Sequence, residues 1–481
     1  MASRLDSPIA TPSEESGPSF FDLGVPKVLC EILANQGIDD PFPIQTATLP
    51  DSLSGRDVLG RGRTGSGKTL AFALPVLVRL SQSKQDRRSR APRALILAPT
   101  RELALQIQAV LDPLAKALSL RTMVVFGGVN QNPQIDKLRQ GVDIVVACPG
   151  RLEDLLHQKA LVLDAVEITV LDEADHMADL GFLPPVKRLM DKTPKHGQRM
   201  LFSATLDNGV DVLIKRYLQT PVTHSVDSEQ SPVGTMQHHV LNVSTKDRLA
   251  VLVDLTSAPG RTIVFTRTKH RAKQLAKQLN ASGVPAVEMH GNLSQGARVK
   301  NLSAFSEGRA VALVATDIAA RGIHVDDVTL VIHADPPTEH KAYLHRSGRT
   351  ARAGNEGTVV TLATESERRE VAALTRKAGI KARVTEVTPD HAVLQELAPG
   401  VRKLSSPEAI AVLLPATVQG GSTRNSGDSS NSRKVRSSGS KAGFGNASSR
   451  NKASGGKKRG GGSGASSSSA SSSHRSSGRP R

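Results

Sequence analysis

The sequence predicts an α/β fold in which two parallel-sheet domains stand in tandem and a disordered basic tail follows. Three observations predict it. Apolar, strand-like runs alternate with helix-like segments from about residue 20 to 395. A glycine-rich phosphate loop lies between a strand and a helix in the first half, and no second copy of it occurs in the other. From 421 onwards the composition turns to Ser, Gly, Lys and Arg, with Phe444 the one aromatic residue.

Residues 1–19 are polar and read as disordered. The first domain spans 20–222, with strands expected at 57–60, 94–98, 122–126, 143–147, 166–171 and 199–202, where β-branched and apolar residues cluster between turn signals. The polar run T-P-V-T-H-S-V-D-S-E-Q-S-P-V-G-T, from Thr220 to Thr235, carries two prolines and a glycine. It reads as a linker, placed at 223–235. The second domain spans 236–395, with strands expected at 261–266, 286–289, 311–315, 330–334 and 357–362. Residues 396–420 are a connecting segment, and 421–481 is the tail.

The 481 residues include 63 Lys and Arg against 45 Asp and Glu, a formal net charge of +18. Such an excess draws a protein towards polyanions and makes nucleic-acid affinity fall with salt. The tail holds 13 basic residues and a single acid, Asp428, and reads as an electrostatic arm for RNA or DNA. No apolar run approaches membrane-spanning length, and the start of the chain has no signal-peptide pattern. Cys30 and Cys148 are too few for a disulfide framework or a zinc site and are expected as small buried residues. A cytoplasmic location fits this usage.

Residues 62–69 read G-R-T-G-S-G-K-T and match G-x-x-x-x-G-K-[ST]. Glycines let successive N–H groups turn inward on phosphate oxygens, and the following helix N-terminus favours negative charge. Thr64, Gly65, Ser66 and Gly67 would form the cradle. Lys68 would reach the terminal phosphates, and the Thr69 hydroxyl would ligate magnesium. Asp172-Glu173-Ala174-Asp175 follows the run V-E-I-T-V-L, at the strand end where ligands of parallel sheets bind. Asp172 would hold the metal, usually through water, and Glu173 would polarise the attacking water. Two solvated acids would explain an isolated D-E pair; beside the glycine loop they read as a nucleoside triphosphate site.

Further motifs then line up in order, and from about Phe20 to Gly354 the chain resembles the DEAD-box family of ATP-dependent RNA helicases. The resemblance implies two RecA-like domains with a cleft between them, ATP and Mg²⁺ as cofactors, and RNA as partner. The run from Gly37 to Gln45 resembles the family's Q motif, which implies that Gln45 reads adenine and Phe20 stacks on it. Pro99, Thr100, Arg101, Gly128 and Arg151 (with Gly127, Pro149 and Gly150) resemble RNA-backbone motifs of the first domain. Thr266, Arg267, Gly291, Gln295, Arg298, Thr316, Asp317 and Arg321 resemble those of the second, and Gly322 would approach the nucleotide.

Ser203-Ala204-Thr205 resembles the element that couples hydrolysis to RNA binding, its hydroxyls meeting the segment that ends at Asp175; His345 belongs to the same coupling set. The run from His345 to Gly354 supplies Arg349 and Arg352, which lie three apart and on one helical turn would face the same way as arginine fingers. The chain departs from the family at Cys148, where threonine is usual. It departs again at His324, where an acid near the ribose is usual: either Asp326 or Asp327 compensates, or the ribose contact is weaker, or the position tolerates histidine. The low-complexity tail resembles bacterial members. The resulting expectation is an RNA-stimulated ATPase that opens short duplexes. An ATP-gated RNA clamp and a DNA helicase are the alternatives.

Overall fold

The structure, a computed structural model, describes residues 17–62, 65–206, 208–226, 236–320, 325, 327–351 and 357–414. Thr64, Arg321, Gly322, His324, Asp326, Arg352 and the whole tail lie outside the described residues.

Most strands are buried at all but at most one position, as strands covered by helices on both faces must be. In chain order the first sheet contains β1 (Val58–Arg61), β2 (Ala94–Leu97), β3 (Thr122–Val125), β4 (Ile144–Ala147), β5 (Ile168–Asp172), β6 (Gln198–Ser203) and β7 (Val222–Ser225). The second contains β8 (Met236–Val243), β9 (Arg261–Thr266), β10 (Ala286–Met289), β11 (Ala312–Thr316), β12 (Val328–His333), β13 (Gly357–Ala363) and β14 (Arg383–Val387). Among the described residues, the strands of both sheets all pair in parallel. The spatial order is β3-β4-β2-β5-β6-β1-β7 in one sheet and β10-β11-β9-β12-β13-β8-β14 in the other. Counted from each domain's own first strand, the two orders are identical. The chain is two RecA-like α/β domains in tandem, and both belong to one compact unit.

Each sheet buries two apolar layers. Phe72 and Phe202 meet at 5.5 Å between ring centroids on one face of the first sheet, and Leu97, Leu155 and Leu189 fill the other. In the second domain Leu252, Leu279 and Ile332 fill one face, and Phe305, Leu313 and Val331 the other.

Several boundaries differ from the sequence reading. The proposed linker begins inside β7, an edge strand that pairs with β1 on one side and alternates half-buried with exposed positions, so its sequence looks polar. His224 Nε2 pins it to Asp51 at 2.8 Å. Strand β8 was not expected because Gln237, His238, His239 and Asn242 interrupt its apolar run. Two of these polar side chains have internal partners: His238 Nδ1 lies 3.1 Å from the Tyr343 hydroxyl, and Asn242 donates to Glu386 at 2.8 Å. At the N-terminus the structure is already built by Ser19, whose hydroxyl donates to Asp22 at 2.7 Å.

Residues 396–414 are not a free connector. Helix Val393–Leu397, an extended stretch and helix Pro407–Leu413 run back over the second domain. Lys403 N–H donates to Ser257 O at 2.8 Å and Ser405 N–H to Gly283 O at 2.7 Å. Arg402 grips Asp254 with two nitrogens at 3.0 and 2.8 Å, and Ile410 and Leu414 enter the core.

Candidate functional site

Strands β1, β6 and β5 are neighbours, so their carboxyl ends bring three distant sequence motifs to one place. Gly62 N–H donates to Ser203 O at 3.2 Å, and Asp172 is in register with Phe202. The loop after β1 leads into helix Lys68–Gln82. Its cap residue, Gly67, has φ +87, and a Cβ there would come within 2.5 Å of Gln45 Nε2 and 2.8 Å of the Phe42 ring. Glycine is therefore required on both conformational and steric grounds.

Lys68 is buried, and its ammonium donates to Gly62 O at 2.6 Å, folding the side chain back over its own loop. Gln45 braces that loop from outside. Its amide nitrogen donates to Gly67 O at 2.8 Å, and its oxygen accepts from Phe42 N–H at 2.8 Å. The amide expected to read adenine is thus bonded at both ends to backbone. Phe20, expected to stack on a base, is 3 % exposed within the core beside Val25, Leu29 and Leu33; the aromatic ring beside the loop is Phe42, 45 % exposed. Thr69 is half-buried in the helix's first turn.

The acids occupy a buried pocket. Asp172 is held by Glu173 N–H at 3.0 Å. Burial pushes its carboxyl up to about 7, against the opposing charge of Lys68 and with help from Glu173. Glu173 has φ +51, a left-handed backbone that turns its side chain onto the short helix Ala174–Asp179. Burial would raise Glu173 too. The hydrogen bond and charge of His176, with Arg349 and Lys68, outweigh that and hold it well below the usual carboxylate range. One further acid is fully engaged: Asp175 Oδ2 accepts from both Thr205 N–H and Thr205 Oγ1 at 3.0 Å, while Ser203 Oγ accepts from Asp175 N–H at 3.2 Å and donates to Thr205 O at 2.8 Å. The sequence reading anticipated this knot.

The second lobe contributes Arg349, 5 % exposed and close enough to Glu173 to stabilise its anion. Arg352, expected to share a helical turn with Arg349, lies outside the described residues. Helix His340–Ser347 stops at Gly348, Arg349 lies beyond it, and Ala351 turns left-handed at φ +53. The cause is tertiary: Thr350 Oγ1 donates to Val328 O, and Gly357 packs against Thr350 so closely that a Cβ would meet it at 2.4 Å. Arg346, unassigned from sequence, holds Asp317 with two nitrogens and donates to Asp335 O at 2.7 Å. His345 Nδ1 lies 3.8 Å from Asp179 of the first lobe.

Three candidate RNA residues instead join the lobes. Thr100 caps helix Arg101–Ala117 by accepting from Leu103 N–H at 3.3 Å, which sets Arg101 and Glu102 in the helix's first turn. Arg101 donates to Gln295 Oε1 at 3.3 Å, Gln295 donates to Glu102 at 3.1 Å, and Arg298 donates to Glu102 at 2.8 Å. The Arg101 guanidinium also fills the space beside Gly128, where a Cβ would lie 2.5 Å away. Glu102 was missed as a partner, although it is adjacent to Arg101. Cys148 lies against this cluster, half-buried like Cys30, and burial lifts its thiol to about 12.

The other candidates are placed as follows. Pro99 lies just before the Thr100 cap, and Arg151 donates to Val129 O at 3.1 Å. Thr266 is buried at the end of β9, Thr316 ends β11, and Arg267 and Gly291 are exposed. Asp327, the candidate replacement for the missing ribose acid, pairs instead with Arg261 at 2.8 Å.

A glycine loop with its lysine, two buried acids at the neighbouring strand end, and an arginine from a second lobe of the same topology define a two-lobed P-loop nucleotide-binding protein. Residues 42–213 match the model of the DEAD/DEAH box helicase family and residues 245–354 that of the helicase conserved C-terminal domain. The chain belongs to the DEAD-box family. It is 40 % identical over 376 residues to DEAD-box ATP-dependent RNA helicase 3A, chloroplastic, of Zea mays, covering 76 % of this chain and 50 % of that one. It is 38 % identical over 385 residues to the probable ATP-dependent RNA helicase ddx27 of Dictyostelium discoideum, covering 79 % and 49 %. The chain therefore spans about half the length of the curated relatives it matches. Among solved structures, S. cerevisiae Dbp5 bound to RNA and ADP BeF3 superposes with a TM-score of 0.68 at 27 % identity, over 79 % of this chain and all of that one. Among the described residues, no helix is long and apolar enough to cross a membrane.

Proposed function

We propose that this protein is an ATP-dependent RNA helicase: RNA stimulates it to hydrolyse ATP, and hydrolysis drives local, sequence-independent opening of short RNA duplexes or remodelling of RNA–protein complexes. The observation that carries the reading is the approach of Arg349, from the second lobe, to Glu173, in the same pocket as Lys68. Neither lobe alone supplies both the base and the opposing cation.

Lys68 would leave Gly62 O for the terminal phosphates, with Gly65, Ser66 and Gly67 offering N–H groups around them. Glu173, held ionised, would accept the proton of the attacking water, and Arg349 would neutralise charge gathering on the transferred phosphoryl group. Arg352, Thr64 and Gly322 are proposed for the same cleft from sequence. The residues present fit a magnesium ion: Asp172 is a wholly buried carboxyl raised by desolvation, and such a group gains most from a nearby divalent cation. Asp172 and Thr69 would hold that ion, which supplies charge neutralisation on the phosphates.

RNA would lie across the first-turn and strand-end positions Pro99, Arg151, Arg267, Gly291 and Thr316, of which Arg267 and Gly291 are exposed, with Arg321 added from sequence. Sugar-phosphate contacts of this kind position without reading sequence, and A-form shape with 2′-hydroxyls selects RNA. The Asp175–Thr205 knot would pass the state of the acids to the lobe interface, where Asp179 meets His345. The basic tail would add nonspecific RNA contacts. We place the protein in the cytoplasm, in keeping with its two free cysteines.

The test is Glu173→Gln: turnover is lost while ATP and RNA still bind. RNA-stimulated hydrolysis by that variant would overturn the assignment of the base. Equal stimulation by DNA and RNA would overturn the RNA reading. Strand displacement compared between the wild type and Glu173→Gln separates unwinding from ATP-gated clamping.

A further inference from the structure

His176 is a buried titratable side chain that no motif assigned. It lies three residues after Glu173, on one turn of helix Ala174–Asp179, and its Nδ1 is 3.0 Å from Glu173 Oε2. The residue as a whole is 4 % exposed. The left-handed backbone at Glu173 makes the contact possible, because it folds the carboxylate back over the helix that Glu173 itself begins.

An ionised carboxylate only accepts, so Nδ1 is the donor. The other ring nitrogen, Nε2, is buried and has no hydrogen-bond partner. Here the single polar contact of the ring goes to the side chain that faces Arg349 and Lys68.

We propose that His176 is a positioning residue for hydrolysis. By occupying Oε2 it fixes the rotamer of the Glu173 carboxylate and leaves Oε1 to take the proton from water. As the water oxygen bonds to the terminal phosphorus, the bond from that phosphorus to its bridging oxygen breaks and the proton passes to Oε1. This inference rests on the ATPase reading above, and it concerns the rate of that step rather than the binding of nucleotide.

The experiment compares the full-length wild type with His176→Ala and His176→Gln, measuring kcat and KM for ATP at saturating RNA. Affinity for a fluorescent non-hydrolysable ATP analogue and the thermal midpoint are measured alongside. The expected result for His176→Ala is a fall in kcat on the order of 10- to 100-fold, with KM and analogue affinity within about twofold of wild type. His176→Gln, whose amide N–H can donate to the same oxygen without titrating, recovers most of the rate. Wild-type kcat in His176→Ala, a loss in His176→Gln as large as in His176→Ala, or a loss of rate that follows lost analogue affinity each overturns the proposal. A wild type without ATPase activity would sink the ATPase reading itself, a separate outcome read from the same plate.

Discussion

Glu102 of the first lobe and Arg298 of the second pair at 2.8 Å, with side chains only 4 % and 11 % exposed. Gln295 donates to the same carboxylate at 3.1 Å and also accepts from Arg101 at 3.3 Å, so four side chains form one knot across the cleft. Removing one member of a buried pair leaves the other charge uncompensated, at a cost of about 3–5 kcal/mol. Glu102→Gln and Arg298→Ala are therefore predicted to weaken lobe closure. The measurement is the RNA-stimulated rate at subsaturating RNA, together with RNA affinity in the presence of an ATP analogue. Both should fall at least tenfold, while analogue binding without RNA changes little. Unchanged RNA affinity would show that the knot does not support closure.

Arg349 is the cation that the first lobe lacks. Its replacement by alanine is expected to lower kcat by about 10³–10⁵, the range for loss of an arginine finger, with nucleotide affinity nearly kept. Lys68→Ala should instead lose affinity and turnover together, since Lys68 is part of the phosphate loop from the outset. Pre-steady-state binding and single-turnover hydrolysis distinguish the two patterns.

The Thr205 hydroxyl and N–H both serve Asp175 Oδ2. Thr205→Ala removes one of the two bonds and keeps the other, a loss of about 0.5–1.5 kcal/mol. Duplex opening is expected to fall more than ATP hydrolysis, and the ratio of strands displaced to ATP consumed measures it. An unchanged ratio would remove Thr205 from the coupling path.

What the sequence made legible follows from how locally each feature is encoded. The phosphate loop and the acidic run are contiguous, and their neighbouring strands are apolar enough to read directly. Strand β8 was hidden because polar residues interrupt its apolar run, and two of them, His238 and Asn242, are satisfied by Tyr343 and Glu386 more than a hundred positions away. Phe20, expected to stack on a base, is covered instead because tertiary packing, not spacing, decides which ring is buried. Arg101, Gln295 and Arg298 are recognisable by motif, yet their link to Glu102 spans almost two hundred residues and leaves no periodic trace. The helix expected to carry Arg349 ends early through contacts of Thr350 with Val328 and Gly357, again a tertiary effect.

The second domain should lose stability in mild acid. Burial lowers His238 to about 4 and His333 well below its ordinary value of 6.5. Above pH 6.5 both are neutral whether folded or unfolded, and their contribution is constant. As pH falls below 6.5 the unfolded chain takes up protons that the folded chain refuses. Each histidine then costs up to about 1.4 kcal/mol per pH unit, until the folded value is reached. Urea unfolding at pH 7.5 and 5.5 checks the sign, and His238→Gln should flatten the dependence.

The segment after the second domain is predicted to be part of its stability. Arg402 bonds Asp254 twice and donates to the carbonyls of Leu394, Ala398 and Gly400, tying the strap's own turn to helix Arg248–Ser257. Gly283 leaves room for the strap, since a Cβ there would meet Leu404 Cβ at 3.0 Å and Ser405 O at 3.1 Å. Beyond it, Ile410 and Leu414 complete the layer that contains Phe305 and Leu313. A chain ending at residue 395 would uncover that layer, and burial of two aliphatic side chains is worth about 1.5–3 kcal/mol each. Arg402→Ala, which keeps those side chains but cuts the anchor, should cost about 1–3 kcal/mol. The truncation should therefore unfold at lower urea than Arg402→Ala, and both below wild type, as followed by circular dichroism. If a chain ending at residue 420 and one ending at 395 share a midpoint, the strap contributes nothing to the domain it covers.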